Sequence, residues 1–249
     1  MSLFKLFGRK NNGAEPIFSV LGTDMHCHLV PAVDDGSKCM EESIDCLKTL
    51  KEVGFEHVIV TPHYSSRFPN EEEDIKQRYG ELKRAAEEAG VTIDMAGIAG
   101  EYRIDANFKA RLETPRFLKV GGKYVLVEFS LHHQMADAYE MLFELQMQGY
   151  ELILAHPERY PYLSLDGERM EQLLNQGVYL QCNVLSLGGF YGEEARRRAF
   201  ELIERKWVSF LGTDTHNVLY AQALSDLTHQ RKVQRVLEKY EFKNKELLQ

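Results

Sequence analysis

Two short motifs near opposite ends of the chain carry residue types that bind metal ions. The segment 24–28, DMHCH, contains His26 and His28, and the segment 212–216, GTDTH, contains Asp214 and His216. Side chains at positions i and i+2 of a β-strand point to the same face, so each pair would present two ligands to one place. Because nearly the whole chain separates the two pairs, only a closed fold would bring them together.

Further candidate ligands stand at or just beyond other predicted strand ends: Asp35, His63, Glu101, Glu128 and His156. Bare carboxylates in apolar strands are costly to bury, so we expect cations among them. Mixed imidazole and carboxylate ligands without thiolate favour manganese, iron or zinc over magnesium or calcium. The four carboxylates carry a charge of −4, so three divalent cations would leave a pocket at +2 that attracts a phosphate dianion.

This ligand set predicts phosphoester hydrolysis. Adjacent divalent cations can hold a phosphoryl oxygen and lower the pKa of bound water, which supplies hydroxide for in-line attack. Arg159, just beyond a predicted strand end, is a candidate for two parallel hydrogen bonds to phosphate, and the alternative is a salt bridge with Glu158 or a helix carboxylate. We assign catalytic roles to Arg159, His156 and Asp214, and substrate binding to Arg159 and Arg67.

Hydrophobic periodicity predicts strands that alternate with helices. The predicted strands are Val20–His28, His57–His63, Ile93–Arg103, Tyr124–Phe129, Glu151–His156, Val178–Asn183 and Val208–Asp214. The predicted helices are Glu41–Val53, Asn70–Ala89, Met135–Gln148, Glu168–Gln176, Glu193–Lys206 and Ala221–Lys239. This order predicts a closed or nearly closed α/β barrel, with an open doubly wound sheet as the alternative. In α/β barrels the C-terminal strand ends carry the active site.

The length of 249 residues suits a single α/β barrel domain. We predict an N-terminal tail at 1–19, the barrel domain at 20–239, and an exposed, charged C-terminal tail at 240–249. The net charge of −8 argues against a nucleic-acid partner. Four cysteines without a CxxC pair or a disulfide-dense pattern indicate a reducing, cytoplasmic location.

The first ten residues, MSLFKLFGRK, combine apolar and basic side chains. They contain no long apolar core, so we predict neither a signal peptide nor a transmembrane helix. A frayed tail is the simpler interpretation. The alternative is a weak amphipathic contact with an anionic membrane or a partner, which makes any membrane contact peripheral at most.

The motifs resemble those of the PHP (polymerase and histidinol phosphatase) superfamily of metal-dependent phosphoesterases. More narrowly, the chain resembles the CpsB/CapC/YwqE type of bacterial protein-tyrosine phosphatase. The resemblance runs from about Thr23 to about Leu224 and is carried by the segments DMHCH (24–28), VDDG (33–36), TPH (61–63), GE (100–101), VE (127–128), AHPER (155–159) and GTDTH (212–216).

The resemblance implies a distorted seven-stranded TIM-like (βα)7 barrel with three divalent metal ions, often manganese or iron. It implies a first metal held by His26, His28, Glu101 and Asp214. It implies a second metal held by Glu101, Glu128 and His156. It implies a third metal held by Asp35, His63 and His216, and it matches Arg159 to an arginine that binds phosphate.

These observations predict a cytoplasmic, metal-dependent protein-tyrosine phosphatase. The resemblance implies a substrate in the phosphotyrosine-rich tail of a bacterial tyrosine kinase that controls capsule or exopolysaccharide export. One alternative is a small-molecule phosphatase, such as a histidinol-phosphatase, with the same metals and a different pocket rim. A second alternative is a noncatalytic, metal-stabilised regulatory domain that binds a phosphopeptide.

Overall fold

The computed structural model describes residues 16–133 and 135–249. Most of the predicted N-terminal tail, with its expected membrane or partner contact, lies outside the described residues. Within them, no helix has the length and apolar character needed to cross a lipid bilayer.

Strands and helices alternate along the chain, and neighbouring strands run parallel. The strands are β1 (Thr23–Asp24), β2 (His57–Val60), β3 (His63–Tyr64), β4 (Asp94–Ile98), β5 (Glu101–Arg103), β6 (Tyr124–Glu128), β7 (Glu151–Ala155), β8 (Tyr179–Asn183) and β9 (Val208–Gly212). They form a three-stranded sheet in the order β1-β2-β4 and a six-stranded sheet in the order β3-β5-β6-β7-β8-β9. The predicted α/β class with parallel strands is therefore confirmed.

Two predicted strands, 57–63 and 93–103, each divide into two shorter strands. Pro62 lacks the N–H group that would continue a ladder, and the register of β2 against β4 shifts between Val58 and Ile59. Pairing resumes beyond the break, where the amide of Glu101 donates to the carbonyl of Pro62 at 3.0 Å. The interruption explains why the hydrogen-bond ladders separate into two sheets.

The strand-end segments that follow β1 and β9 also pair. The amide of Asp214 donates to the carbonyl of His26 at 2.7 Å, and the amide of His28 donates to the carbonyl of Thr215 at 2.9 Å. Cys27 and Thr215 form an isolated parallel bridge. The two motifs from opposite ends of the sequence are thus neighbours in the fold.

The helices match the predicted order with three differences. The helices are α1 (Met40–Glu52), α2 (Glu72–Glu88), α3 (Ala106–Arg111), α4 (Ala138–Met147), α5 (Glu168–Asn175), α6 (Val184–Leu187), α7 (Glu193–Glu204), α8 (Val218–Leu227) and α9 (Arg231–Lys239). The short helices α3 and α6 are too brief for a helical period to show in the sequence. The predicted helix 221–239 is two helices, because Thr228 donates its hydroxyl to the carbonyl of Ser225 and Gln230 adopts an extended backbone.

Two apolar clusters form the core. The larger one lies between the strands and the surrounding helices, and includes Leu47, Val58, Leu142 and Leu202. The smaller one collects side chains from the other strand faces, including Met25, Ile59, Leu126, Ile153 and Phe210. Because residues two apart share a strand face, Leu126 and the ligand candidate Glu128 point the same way from β6. The smaller cluster therefore continues into the strand ends that carry the polar residues.

The expectation of an exposed tail at 240–249 is wrong at two residues. Residues Lys243–Leu248 form a 3-10 helix, and Asn244 and Leu247 are buried. The side chain of Asn244 donates to the carbonyls of Thr23, at 2.9 Å, and Leu211, at 2.6 Å, and accepts from the amide of Leu211 at 3.1 Å. The residues around these two positions are charged, so the sequence alone gives no sign that Asn244 and Leu247 are buried. Asn244 thereby joins the first and last strands.

We expect Asn244→Ala to lower the free energy of unfolding by about 1–3 kcal/mol, because it leaves buried peptide groups of β1 and β9 without partners. Urea denaturation followed by circular dichroism measures the change. Asn175→Ala, at an exposed position in α5, is the matched control and should change stability by less than about 0.5 kcal/mol. Equal effects of the two substitutions would contradict the role of Asn244.

Candidate metal centre

The structure brings all nine predicted ligand residues together, at strand ends, in the loops beyond them and at the starts of the short strands β3 and β5. They lie after β1 (His26 and His28), in the loop before α1 (Asp35), in β3 (His63), at the start of β5 (Glu101), at the end of β6 (Glu128), after β7 (His156) and after β9 (Asp214 and His216). Most of these side chains are fully buried, and only Asp35, His63 and His216 contact solvent appreciably.

Two of the ligand candidates adopt backbone conformations that are rare for residues with side chains. His156 has φ of 38° and Asp214 has φ of 53°, both in the left-handed region. Such conformations cost free energy and persist only where the surrounding structure imposes them, most often at functional sites. Here the turn after β7 and the turn after β9 place both side chains close to His26.

Two glycines allow the strand ends and loops to approach the histidines closely. A Cβ atom on Gly212 would lie 2.6 Å from the Cβ of His26, and one on Gly36 would overlap the backbone carbonyl of His28. Neither glycine has a positive φ, so space rather than backbone freedom requires them. Any larger residue would push the loop or the strand away from the centre.

Glu101 occupies the middle of the cluster. Its Oε1 lies 3.2 Å from Nε2 of His26 and 3.0 Å from Nε2 of His156. Its Oε2 lies 3.3 Å from Nε2 of His28 and 3.1 Å from Nδ1 of His63. One carboxylate therefore contacts four imidazoles, which is the position of a bridging ligand.

Asp214 and Asp35 flank this centre on the side of His216. Oδ1 of Asp214 lies 3.4 Å from Nε2 of His28 and 3.6 Å from Nε2 of His26. Oδ1 of Asp35 lies 3.4 Å from Nε2 of His63 and 3.8 Å from Nε2 of His216. Asp214 therefore lies on the buried side of the histidines, and Asp35 lies on their exposed side.

The ligand atoms fall into four groups compact enough to hold an ion. These groups are His28/His63/His216, His26/His28/Asp214, His26/Glu101/His156 and His63/Glu101/Glu128. Within each group the ligand atoms lie within 4.8 Å of one another. The family resemblance placed His63 and His216 with Asp35, and the structure adds His28 to this set, since Oδ1 of Asp35 lies 3.4 Å from His63 and 3.8 Å from His216. The other groups share most of their members with the implied ligand sets.

The residues fit divalent cations, because several buried ligand atoms have no hydrogen-bond partner. These atoms are Oδ1 of Asp35, Nδ1 of His63 and Oε2 of Glu101. The Nε2 atoms of His26 and His28 also face each other at 3.3 Å. Buried polar atoms without partners are costly, and several bound cations would supply the missing partners.

The directions of the pKa shifts at His26 and Glu101 indicate that the carboxylates of the cluster stabilise positive charge beside them. Burial lowers the pKa of His26, but Glu101 and Asp214 outweigh burial and raise it to about 9. Burial raises the pKa of Glu101, but His26 and His63 outweigh it and hold the pKa well below its usual range. Burial and the neighbouring His28 lower the pKa of His216 to about 4. A bound cation would displace the additional proton from His26, while His216 is already neutral and able to act as a ligand.

Asp34 is a functional residue that the sequence analysis did not single out. Its Oδ2 lies 3.0 Å from Nδ1 of His28 and accepts the amide of His63 at 2.9 Å, and its Oδ1 accepts the amide of Gly36 at 2.9 Å. A carboxylate behind a histidine directs the other ring nitrogen toward the metal. Asp34 adjoins the ligand candidate Asp35 in the VDDG segment, which was the only available signal.

A chain of amides on β8 supports the ligands from the opposite side. Oε1 of Gln181 lies 2.8 Å from Nδ1 of His26, and its Nε2 donates to Oδ1 of Asn183 at 2.9 Å. Asn183 then donates from Nδ2 to Oδ2 of Asp214 at 2.7 Å. The spacing of two residues within β8 was the signal for this pair. The chain links a ligand from the first motif to a ligand from the last.

The two predicted phosphate-binding arginines stand beside ligand carboxylates. Nη1 of Arg159 donates to Oδ2 of Asp214 at 2.9 Å, and its side chain is 19% exposed. Arg67 lies 3.6 Å from Oδ2 of Asp35 and is 75% exposed. The alternative pairing of Arg159 with Glu158 is wrong, because Glu158 accepts instead from the amide of Asn183 and the hydroxyl of Ser186.

A further arginine, Arg103, orients the carboxylate of the ligand candidate Glu128. Arg103 donates from Nε to Oε1 of Glu128 at 3.0 Å and from Nη2 to Oε2 at 3.3 Å. This bidentate pair fixes the plane of the Glu128 carboxylate. Arg103 follows Glu101 by two residues in β5, so both side chains leave the strand on the same face.

The chain resembles known proteins over most of its length. Residues 22–239 match the family model described as "Capsular polysaccharide synthesis, CpsB/CapC". Tyrosine-protein phosphatase YwqE of Bacillus subtilis is 27% identical over 197 residues, which are 78% of this chain and 77% of YwqE. Tyrosine-protein phosphatase CpsB of Streptococcus pneumoniae is 31% identical over 202 residues, which are 78% of this chain and 83% of CpsB.

A solved structure shares the fold. It comes from a crystallographic description of YwqE from Bacillus subtilis and CpsB from Streptococcus pneumoniae as metal-dependent tyrosine phosphatases. It superposes with a TM-score of 0.76 at 24% identity and covers 91% of this chain and 94% of its own. With the family model matched from before β1 to the end of α9, the chain belongs to the CpsB/CapC family of capsular polysaccharide synthesis proteins.

Proposed function

We propose that this protein is a metal-dependent phosphomonoesterase that hydrolyses phosphotyrosine on proteins. The observation that carries the proposal is the convergence of eight histidines and carboxylates on one largely buried centre, with Asp35 at its exposed side, in which several ligand atoms have no hydrogen-bond partner. Relatives that align with most of the chain are named tyrosine-protein phosphatases. The number and type of ligands support three divalent ions of manganese, iron or zinc, and the family resemblance favours manganese or iron.

When bound, the divalent cations would polarise the phosphoryl oxygens and lower the pKa of a water molecule. The chain supplies the rest of the chemistry. Arg159 lies within hydrogen-bond distance of Asp214, so its guanidinium is in reach of a phosphate bound beside that ligand. Asn183 donates to the same oxygen of Asp214 and would keep the carboxylate oriented when Arg159 turns to the substrate.

We propose that the substrate is a phosphotyrosine segment of a bacterial tyrosine kinase that acts in polysaccharide export. The family's description as a capsular polysaccharide synthesis family supports this choice. We also propose a cytoplasmic location, which the four free cysteines support. A peripheral membrane contact through residues 1–10 would place the enzyme near such a kinase.

We propose that residues 20–239 form one distorted seven-stranded barrel domain. Two sets of contacts support closure: the hydrogen bonds that continue from β2 and β4 into β3 and β5, and the bridge between Cys27 and Thr215. Closure would bring the first and last strands side by side, as the shared centre of His26 and Asp214 requires.

The proposal is tested by metal analysis of the purified protein together with phosphatase assays. We expect at least two metal ions per chain, loss of activity on chelation, and recovery with manganese or iron. A phosphotyrosyl peptide should be hydrolysed with a higher kcat/KM than histidinol phosphate. A higher kcat/KM for histidinol phosphate would show that the protein is a small-molecule phosphatase. Phosphopeptide binding without phosphate release would show that it is a noncatalytic domain.

We expect no cysteine to serve as the nucleophile. Cys27 lies between two ligand candidates in sequence, but its thiol points toward the carbonyl of Ile59 at 3.8 Å and is fully buried. Burial, with nearby Asp24, raises the pKa of this thiol well above its usual range, so it stays protonated.

Cys27→Ala should therefore leave kcat within about threefold of the native value while lowering the free energy of unfolding by about 1 kcal/mol. Steady-state kinetics and urea denaturation measure the two effects. Cys46→Ala, which removes a buried thiol on α1, is the matched control. Abolished turnover in a folded, metal-loaded Cys27→Ala variant would point to a cysteinyl mechanism instead.

A further inference from the structure

We propose that three aromatic residues at the mouth of the metal centre bind the aromatic ring of the substrate and select aryl over alkyl phosphate esters. We call Phe190, Tyr191 and Tyr220 the aromatic rim. This inference rests on the proposed phosphatase function. It adds that these three residues, which have no part in that function so far, contact the aromatic ring of the substrate.

The three rings form a continuous arc built from two segments. Phe190 and Tyr191 follow α6, and Tyr220 lies in the first turn of α8. The ring centroid of Phe190 lies 5.1 Å from that of Tyr191 and 4.8 Å from that of Tyr220, and Tyr191 and Tyr220 are 6.4 Å apart. Each pair is tilted or edge-on, the arrangement that aromatic quadrupoles favour and that a further ring can extend.

Both ends of the arc contact the metal centre. The ring of Tyr220 lies 5.2 Å from that of His216. The hydroxyl of Tyr191 lies 3.4 Å from Oδ2 of Asp214, and the guanidinium carbon of Arg159 lies 4.1 Å from the centre of the Tyr191 ring. The aromatic rim therefore adjoins the side of the metal centre where Arg159, Asp214 and His216 lie.

The outer part of the rim is open to solvent. Phe190 is 43% exposed, and Val218 and Leu219, which precede Tyr220, are 43% and 72% exposed. These are three of the seven exposed large hydrophobic residues in the part of the chain that the structure describes. Of these three, Phe190 belongs to the arc that reaches the metal centre, so its exposed ring is the part of the rim available to a ligand.

The depth of the centre favours an aryl ester. His26, Glu101 and Asp214 are almost completely buried, so the phosphate must enter well below the protein surface. The phosphate of phosphotyrosine lies a full ring further from its peptide backbone than that of phosphoserine. A tyrosyl ester can thus place its phosphate at the metals and its ring against Phe190, while a seryl ester makes no contact there.

The test compares Phe190→Ala with Phe143→Ala, a control at a similarly exposed phenylalanine on α4. Manganese-loaded protein is assayed on two peptides of identical sequence that carry phosphotyrosine or phosphoserine. We expect Phe190→Ala to lower the ratio of their kcat/KM values by about tenfold, the size of one lost ring–ring contact, mainly through KM. Phe143→Ala should leave the ratio unchanged.

A binding measurement separates this inference from the proposed function. Phenylphosphonate and methylphosphonate carry a carbon–phosphorus bond that phosphatases do not cleave, and calorimetry gives their Kd values. We expect tighter binding of phenylphosphonate to the native protein, and about a tenfold loss of that preference in Phe190→Ala. Unchanged ratios in both assays would overturn the aromatic rim. Absent turnover with a Phe190-dependent binding preference would overturn only the phosphatase function.

Discussion

Replacing Glu101 by glutamine is expected to lower kcat/KM on a phosphotyrosyl peptide by about 10³-fold or more, with a loss of bound metal. The carboxylate of Glu101 contacts His26, His28, His63 and His156 at 3.0–3.3 Å. The amide of glutamine has the same size but carries no negative charge, and its NH₂ group cannot bind a cation. The change therefore removes the central ligand without creating a cavity.

Metal content by plasma mass spectrometry, together with steady-state kinetics, measures this effect. Glu88→Gln makes the same chemical change at an exposed position near the end of α2 and should match the native protein in both assays. A thermal melt confirms that Glu101→Gln remains folded. Native metal content and turnover in the folded variant would contradict the central position of Glu101.

Much of the centre could be predicted from the sequence because the ligands lie at or just beyond the ends of apolar strands. The rule for residues two apart predicted that each pair would reach one place, and both pairs reach the centre although they lie just beyond β1 and β9 and Asp214 has φ of 53°. Because the C-terminal strand ends of an α/β barrel carry the active site, the remaining ligand candidates were expected at the same end of the barrel. The structure brings all nine together, and His63 lies close to both His28 and Asp35.

The supporting contacts could not be predicted, because they depend on how distant segments pack. Gln181 faces His26 only after β8 and the end of β1 are placed on the same side of the centre. The positive φ values of His156 and Asp214 are imposed by tertiary contacts, since their own side chains disfavour them. Asn244 is likewise polar in a charged segment, and only the packed structure reveals that it is buried.

Arg159→Ala is expected to lower kcat/KM by about 10²–10³-fold while leaving metal content unchanged, because a fixed donor to the phosphoryl oxygens is lost. Arg159 is mostly buried, lies against the ring of Tyr191, and reaches Asp214 at 2.9 Å. Its guanidinium is therefore held close to the metal ligands before any substrate arrives. Arg159→Lys keeps the charge but loses the planar pair of donors, so it should recover only part of the activity.

Arg67 provides the internal comparison, because it also lies beside a ligand candidate, 3.6 Å from Asp35, but is 75% exposed. Water and salt screen an exposed charge, so Arg67→Ala should cost less than about tenfold in kcat/KM, and the cost should shrink as ionic strength rises. The effect of Arg159→Ala should persist at high salt, since its site is largely shielded from solvent. Kinetics of both variants at low and high salt measure this contrast. If Arg67→Ala proved as damaging as Arg159→Ala at high salt, the phosphate would have to approach from the Asp35 side, and the aromatic rim would lie away from its path.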